Sequence, residues 1–328
     1  MSKKILLVGC GQLGSRHLQA VASLEDVQEI YVVDSNPDSL CLGQSRLKEI
    51  ADLNQSIKLN WMRELKTSLA KGDLCIIATQ ASGRCALIKQ IAETLQYKNF
   101  LVEKILSQSI AEYTDIISFC EKNHINVWVN CKTRTYQIHQ YIKARLDARD
   151  SMIFNVCGGN HGLANNGVHA ADLFVYYDDC QEIKSAGNRI DRTLYPSKRS
   201  REIFDLSGTM HGYSENGSDF ILSFSGHHLS SDHVSIVSPH GRFIVDHMQK
   251  FALESYPESD WKWQHISIDE NWLVSHMTKK FVMDIFNKRN CDLPTLWECF
   301  PAHQFILQEL LPYFNQLLDV AHDYCPVT

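Results

Sequence analysis

The chain has 328 residues, long for a single hydrophobic core, so two domains are expected. Its 44% hydrophobic and 21% charged residues fit a globular enzyme, and no run of about 18 uninterrupted apolar residues offers a membrane span. The formal charge of −6 argues against a general nucleic-acid binder, which needs a basic surface.

Met1-Ser2-Lys3-Lys4 leads into Ile5–Val8, an apolar run too short for the hydrophobic region of a signal peptide. It reads as a buried strand. Further strand-like runs follow at Ile30–Val33, Leu74–Ala78, Phe100–Val102 and Val127–Val129. Between them lie amphipathic stretches at Leu18–Leu24, Ala86–Leu95 and Tyr113–Cys120. This alternation predicts βαβ units, a parallel sheet and right-handed crossovers. After about residue 130 the rhythm changes. A helix over Tyr136–Leu146 precedes a strand at Ile153–Cys157, a polar loop at Gly158–Gly167 and a helix through Asp172 and Tyr176. Longer strands are expected from Glu182 to His247, including Phe220–Phe224, Val234–Val237 and Phe243–Val245. Two amphipathic helices close the chain, Trp272–Phe286 and Phe305–Ala321. The expected fold is therefore α/β: an N-terminal Rossmann parallel sheet over residues 1–125, then an α+β domain over residues 126–328. The second domain is built on a large, mostly antiparallel open sheet. Eleven cysteines, an odd count with no CxxC pair, read as reduced thiols in a cytoplasmic chain.

Gly9-Cys10-Gly11-Gln12-Leu13-Gly14 stands directly after the first strand and opens the first helix. Its first glycine makes a tight turn, the second lets backbone approach a pyrophosphate, and the third lets helix pack on strand. The helix N-terminus adds N–H groups and partial positive charge for phosphates. Asp34 lies 20 residues after Gly14, at the end of the next apolar run, where a carboxylate accepts hydrogen bonds from ribose hydroxyls and repels a 2′-phosphate. NAD is the expected cofactor, with NADP not excluded. Glu103-Lys104 ends the run Phe100–Val102, and ligands of open α/β sheets bind beyond the carboxyl ends of strands. Lys104 is thereby a candidate to stabilise alkoxide charge or relay a proton.

The chain resembles the glucose-fructose oxidoreductase, inositol dehydrogenase and rhizopine-catabolism family of oxidoreductases over nearly its whole length. The resemblance rests on Gly9–Gly14 with Arg16-His17, on Ala78-Thr79, on Glu103-Lys104, on Gly158-Gly159, and on Asn165-Asn166-Gly167-Val168-His169-Ala170-Ala171-Asp172. His240-Gly241-Arg242-Phe243 adds a similar glycine turn. It implies hydride transfer between a nicotinamide and a carbinol carbon of a sugar, cyclitol or sugar nucleotide. Lys104 would sit beside the nicotinamide, with Thr79 and Glu103 on the cofactor side, and His169 would exchange the hydroxyl proton. Histidine titrates near neutrality and suits that step. Asp172, three residues on, would orient the imidazole or bind a sugar hydroxyl, and Asn165 would bind substrate. The chain departs from the family at four places. Ile105 replaces the usual proline, which predicts a trans peptide; Thr79-Gln80 replaces Thr-Pro; and Arg84 stands where a histidine is usual. Asn165 also replaces an aspartate.

Lys132 and Arg134, in Asn130–Arg134, are candidates to hold a carboxylate or phosphate on the substrate. Histidines at 211, 227, 228, 233, 240 and 247 match no compact metal motif and on alternating strands would not converge, so they read as structural or surface groups and no metal is expected. Cys131 and Cys157 read as small hydrophobes rather than nucleophiles. The expected protein is an NAD-dependent sugar or sugar-nucleotide oxidoreductase, with no nucleic-acid or membrane partner. By resemblance, it forms a homo-oligomer through the C-terminal sheet. Alternatives are a catabolic polyol or cyclitol dehydrogenase and a non-catalytic dinucleotide-sensing regulator.

Overall fold

The computed structural model describes residues 2–69, 71–147, 150–159, 162–197 and 200–328. The chain forms two compact units. The first comprises Met1–Ser107, Ala111–Asn130 and Asn271–Leu296; the second comprises Gln108–Ile110, Cys131–Glu270 and Trp297–Thr328.

In the first unit, β1 (Lys3–Val8) is fully buried from Ile5 to Val8, as an unbroken apolar run demands of a sheet covered on both faces. It is joined by β2 (Val27–Val33), β3 (Lys58–Met62), β4 (Leu74–Ile77), β5 (Asn99–Val102) and β6 (Asn126–Val129). The order is β3-β2-β1-β4-β5-β6, with every pairing parallel. Helices α1 (Gly14–Ala22), α2 (Pro37–Leu47), α3 (Arg84–Thr94) and α4 (Ile110–Lys122) connect the strands. The strand order reverses between β1 and β4, which leaves a crevice at their carboxyl ends. Each of the five expected strands is present. Two elements lie outside the sequence expectation. One is β3, a half-buried strand of mixed polarity. The other is α2, where Asn36 caps the amide of Asp38 and Pro37 sits in the first turn.

Helix α7 (Val274–Lys288) belongs to this first unit, whereas the expected boundary placed everything after residue 125 in the second. Its apolar face of Met277, Phe281, Val282 and Ile285 packs beside α1. Thr278 Oγ1 lies 2.8 Å from His17 Nδ1. The segment after α7 runs along β6, where the Val129 amide donates to the Pro294 carbonyl at 2.9 Å. An apolar stripe announces that a helix is buried on one side; it does not say against what.

The second unit has α5 (Gln137–Lys143), β7 (Ile153–Gly159), α6 (Gly167–Asp178), β8 (Ile183–Ile190), β9 (Tyr195–Pro196), β10 (Phe204–Asp205) and β11 (Gly208–Ser214). It continues with β12 (Asp219–Ser225), β13 (His233–Val237), β14 (Arg242–Asp246), β15 (Phe251–Ser255), β16 (Gln264–Ser267) and α8 (Leu296–Leu318). Eight strands form one sheet in the order β16-β15-β14-β13-β7-β12-β11-β8. Only β7 and β12 pair in parallel. Residues of β12 alternate between buried and half-buried, so one face is core and the other is open. Phe154, Phe174, Phe220 and Phe305 pack on the core face, with ring centroids 5.3–6.0 Å apart. Ile153, Tyr213, Val237 and Phe251 stand exposed on the open face. Helix α8 starts nine residues before the expected Phe305 and runs through Pro301 and Pro312, although proline normally ends a helix. Among the described residues no helix is long and apolar enough to cross a membrane.

Candidate active site

On the first unit the glycine turn is built at the carboxyl end of β1, beside β4. Gly9 has φ +87°, and a Cβ there would lie 2.8 Å from the Ala78 carbonyl carbon, so only glycine fits the turn. A Cβ at Gly14 would run into the Gly9 carbonyl oxygen; its absence lets α1 start directly over the strand. Gly11 is different. A Cβ there would meet only Ser39 Oγ, at 4.0 Å, so the backbone faces open space. Helix α1 follows with no side-chain cap from Leu13; the Ser15 amide donates to the Gly11 carbonyl at 3.0 Å and the Arg16 amide to the Leu13 carbonyl at 2.9 Å. Arg46 of α2 braces the turn from outside, donating to the Gln12 carbonyl at 2.5 Å and to Ser15 Oγ at 2.6 Å.

Asp34, at the end of β2, accepts from the Cys10 amide at 2.7 Å and the Asn36 amide at 2.9 Å. The carboxylate is thus fixed beside the glycine turn. Burial, helped by Asp34, pushes the Cys10 thiol up to about 12, so it is an inert packing group. A helix that starts directly over the strand end, a glycine face open at Gly11 and a carboxylate fixed at the β2 end together suit a dinucleotide: pyrophosphate at the turn, ribose hydroxyls on Asp34.

Glu103 and Lys104 leave the end of β5 in opposite roles. Glu103 is buried, and its Oε1 lies 2.8 Å from His17 Nε2 and accepts from Asn130 Nδ2 at 2.5 Å. Burial alone would raise its pKa, but His17 and the Asn130 amide hold it down at about 2. Lys104 is half-buried. The Lys104–Ile105 peptide, expected to be trans, is cis. The trans preference belongs to the isolated dipeptide; in the folded chain the flanking carbonyls are held by tertiary contacts. Arg84, 1% exposed on α3, donates to the Glu103 carbonyl at 2.6 Å and to the carbonyls of Ile105 and Thr79. The Thr79 hydroxyl itself donates to the Gln80 carbonyl at 3.2 Å.

On the second unit, α6 carries Asp172 and His169. Asp172 is fully buried and meets Arg134 in a two-pronged ion pair, Nε to Oδ2 at 2.8 Å and Nη2 to Oδ1 at 2.6 Å. The carboxylate raises the pKa of the guanidinium further above its ordinary value. The two residues expected to reach substrate separately are thus paired with each other in the interior. Lys132 turns to the hydroxyl of Tyr136 at 2.5 Å. Asn165 is half-buried, and its amide donates to Asp205 Oδ2 at 3.0 Å. Asp205 also accepts from the amides of Ala164 and Leu206 and so fixes the approach to α6.

His169 lines a cavity of about 150 Å³ within this unit, together with Thr133, Asn166, Phe224, Asp232 and His247. Sequence reasoning missed His247, which belonged to a histidine set expected not to converge, and missed Asp232 altogether. It also gave no role to His17 beyond a family match, nor to Thr278. A histidine three residues after Gly14, between buried Gly14 and Leu18, carries a signal for an inward imidazole, but its partners lie far away in the chain.

Neither a protein-family model nor any curated protein matches this sequence. Solved structures match across nearly the whole chain. An oxidoreductase from Agrobacterium radiobacter, in complex with NAD+, L-tartaric acid and magnesium, superposes with a TM-score of 0.73 at 13% identity, covering 93% of this chain and 94% of that one. UDP-N-acetylglucosamine 3-dehydrogenase GnnA from Acidithiobacillus ferrooxidans gives 0.72 at 14% identity, covering 94% and 96%. KijD10, a 3-ketoreductase from Actinomadura kijaniata in complex with NADP and TDP-benzene, gives 0.71 at 11% identity, covering 93% and 96%. The chain has the two-domain fold of these structures: a parallel six-stranded sheet with helices, followed by a mostly antiparallel sheet.

Removing one member of a buried ion pair strands the other charge. Asp172→Asn is expected to destabilise the protein by about 3–5 kcal/mol in urea unfolding; a loss under about 1 kcal/mol would contradict the pairing. For Glu103 the folded pKa lies below the ordinary carboxyl value. It therefore contributes stability above about pH 4.5 that is lost as pH falls towards 2. Unfolding free energies measured across that window should fall less steeply in Glu103→Gln than in the parent chain.

Proposed function

We propose that this protein is a nicotinamide-dinucleotide-dependent oxidoreductase that transfers a hydride between the cofactor and a carbinol carbon of a sugar or sugar nucleotide. The observation that carries it is the glycine turn at the β1–β4 reversal, with Gly11 open and Asp34 fixed beside it. Its amides and the α1 N-terminus hold the pyrophosphate, and Asp34 accepts from the adenosine ribose, which favours NAD over NADP. The bound nicotinamide supplies the hydride acceptor or donor.

The remaining chemistry belongs to the chain. In the oxidative direction the carbinol carbon gives up a hydride, its hydroxyl loses a proton, and a carbonyl forms. His169 takes that proton as general base, and in the reverse direction returns it. Lys104 places a cation by the reacting oxygen and lowers the energy of developing negative charge. Glu103, His17 and Asn130 set the strand end from which Lys104 projects, and Arg84 ties the same backbone to Thr79. The Arg134–Asp172 pair holds α6, and with it His169, against the turn Lys132–Thr135. One structural neighbour is named for a sugar nucleotide, UDP-N-acetylglucosamine, and another, a 3-ketoreductase, holds TDP-benzene; both support the same substrate class.

Fluorescence titration with NADH and NADPH, followed by a sugar and sugar-nucleotide panel read at the NADH absorbance, tests the proposal. NADH should bind more tightly, and Asp34→Ala should erase at least about tenfold of that preference. Lys104→Ala and His169→Ala should each lower kcat by about 10²-fold or more. Binding of neither dinucleotide would sink the proposal; binding without turnover of any panel member would leave a dinucleotide sensor in its place.

The open face of the eight-stranded sheet is assigned to a second copy of the chain. Ile153 and Val237 are cross-strand partners there, and Tyr213 follows across β12 through Asp219. Sedimentation velocity should report at least a dimer, and Val237→Lys should shift it toward monomer. A parent chain that sediments as a monomer at all concentrations would end this assignment.

A further inference from the structure

The cavity lined by His169 has two chemically different ends, and the strand register separates them. Val156 of β7 and Val234 of β13 are cross-strand partners, and both line it. Two residues nearer the end of β7, about 6.6 Å on, Gly158 is level with Phe224 of β12 and lies against Asp232. His247 stands two residues beyond Val245, the β14 partner of Val234. Helix α6 runs inward from the same end, since Phe174 packs on Phe154 and Phe220, deeper in the sheet than Val156. Asn166 and His169 stand at its start, and Leu173 lies about 6 Å further in, one turn on. One end of the cavity therefore carries Asn166, His169, Asp232 and His247, and the other Val156, Leu173 and Val234.

The second end offers a hydroxyl nothing to bond. Its three side chains are aliphatic and buried. Their backbone is already committed: β7 pairs with β12 and β13, β13 pairs also with β14, and Leu173 is inside α6. A hydroxyl seated there loses its bonds to water without replacement, whereas a methyl group gains from leaving water. The volume of about 150 Å³ is of the size that takes one benzene-sized ring, so a nucleotide attached to a sugar lies outside it.

We propose that Val156, Leu173 and Val234 determine specificity for a deoxy sugar, a pyranose that carries a methyl group where an ordinary hexose carries a hydroxymethyl group. This rests on the reading of His169 as proton acceptor for the same ring. The carbinol lies at the His169 end and the methyl group among the three aliphatic side chains, a distance that one pyranose ring with its substituent spans. Discrimination comes from the lone hydroxyl that separates the two sugars. An apolar pocket rejects an added hydroxyl by at most about 10²-fold, which bounds the preference.

Matched sugars test this. Glucose, galactose and mannose are each compared with their 6-deoxy counterparts, and UDP-glucose with UDP-6-deoxyglucose. Calorimetric titration of the NADH-loaded protein reads affinity without turnover, because the reduced cofactor cannot accept a hydride; turnover with NAD+ reads kcat/KM. In at least one pair the 6-deoxy member should bind about tenfold or more tightly, with kcat/KM favouring it by a similar factor. Val156→Thr and Val234→Thr put a hydroxyl at the apolar end with little change of volume. Each should bring that ratio down about tenfold, chiefly by improving the hydroxymethyl member, whereas mere loosening of the core would weaken both members alike. A ratio left unchanged by both variants overturns the assignment. Turnover with a ratio near one, or favouring the hydroxymethyl member, in every pair defeats this inference and leaves the oxidoreductase reading intact. A 6-deoxy preference in binding with no turnover keeps the specificity of the cavity and defeats the oxidoreductase reading. Binding and turnover of none of these sugars defeats both.

Discussion

A carboxylate taken out of water has to be met by donors or a cation, and each unit is organised around one that is. In the first unit Glu103 draws His17 from α1 and Asn130 from the end of β6 onto one oxygen. In the second, Asp172 draws Arg134 from the turn before α5 onto α6. Neither group has a packing reason to be charged. Their effect is to fix the two backbone stretches that carry Lys104 and His169, because moving either would expose or strand a charge.

Much of the first unit is legible in the sequence because its signals are local. Ile5–Val8 runs straight into three glycines at fixed offsets, and Asp34 stands at the end of the next apolar run. The local rules fail where partners are distant. Strand β3, Lys58–Met62, lacks the apolar run of its neighbours because it lies at the sheet edge and is half-buried. Helix α2 buries only Leu40, Gly43 and Leu47, so its apolar stripe is too thin to announce it, although Asn36-Pro37 is a sound helix start. Pro301 argues for a later start to α8, yet the helix runs through it.

The candidate site shows the same division. Lys104 and His169 can be singled out by motif and resemblance. That Arg134 and Asp172 pair with each other cannot, since a charged residue in a sequence reads equally as a ligand contact or as half of an internal pair. The cavity shows a different gap. Alternation along strands says that the later histidines do not meet one another, but it is silent on His139 of α5, which meets His247 just beyond β14. Convergence across elements leaves no trace in spacing.

The return of α7 has a consequence for synthesis. Thr278, which meets His17 on α1, is separated from it by 261 positions in the chain. A ribosome that has made the whole parallel sheet has therefore not yet made the helix that packs beside α1. Until Asn271–Leu296 emerges, the nascent first unit carries an uncovered apolar face and an imidazole lacking its threonine, and it must be kept from association while nearly all of the second unit is added. A chain cut anywhere before that segment would lose part of its N-terminal unit as well as its C-terminal one.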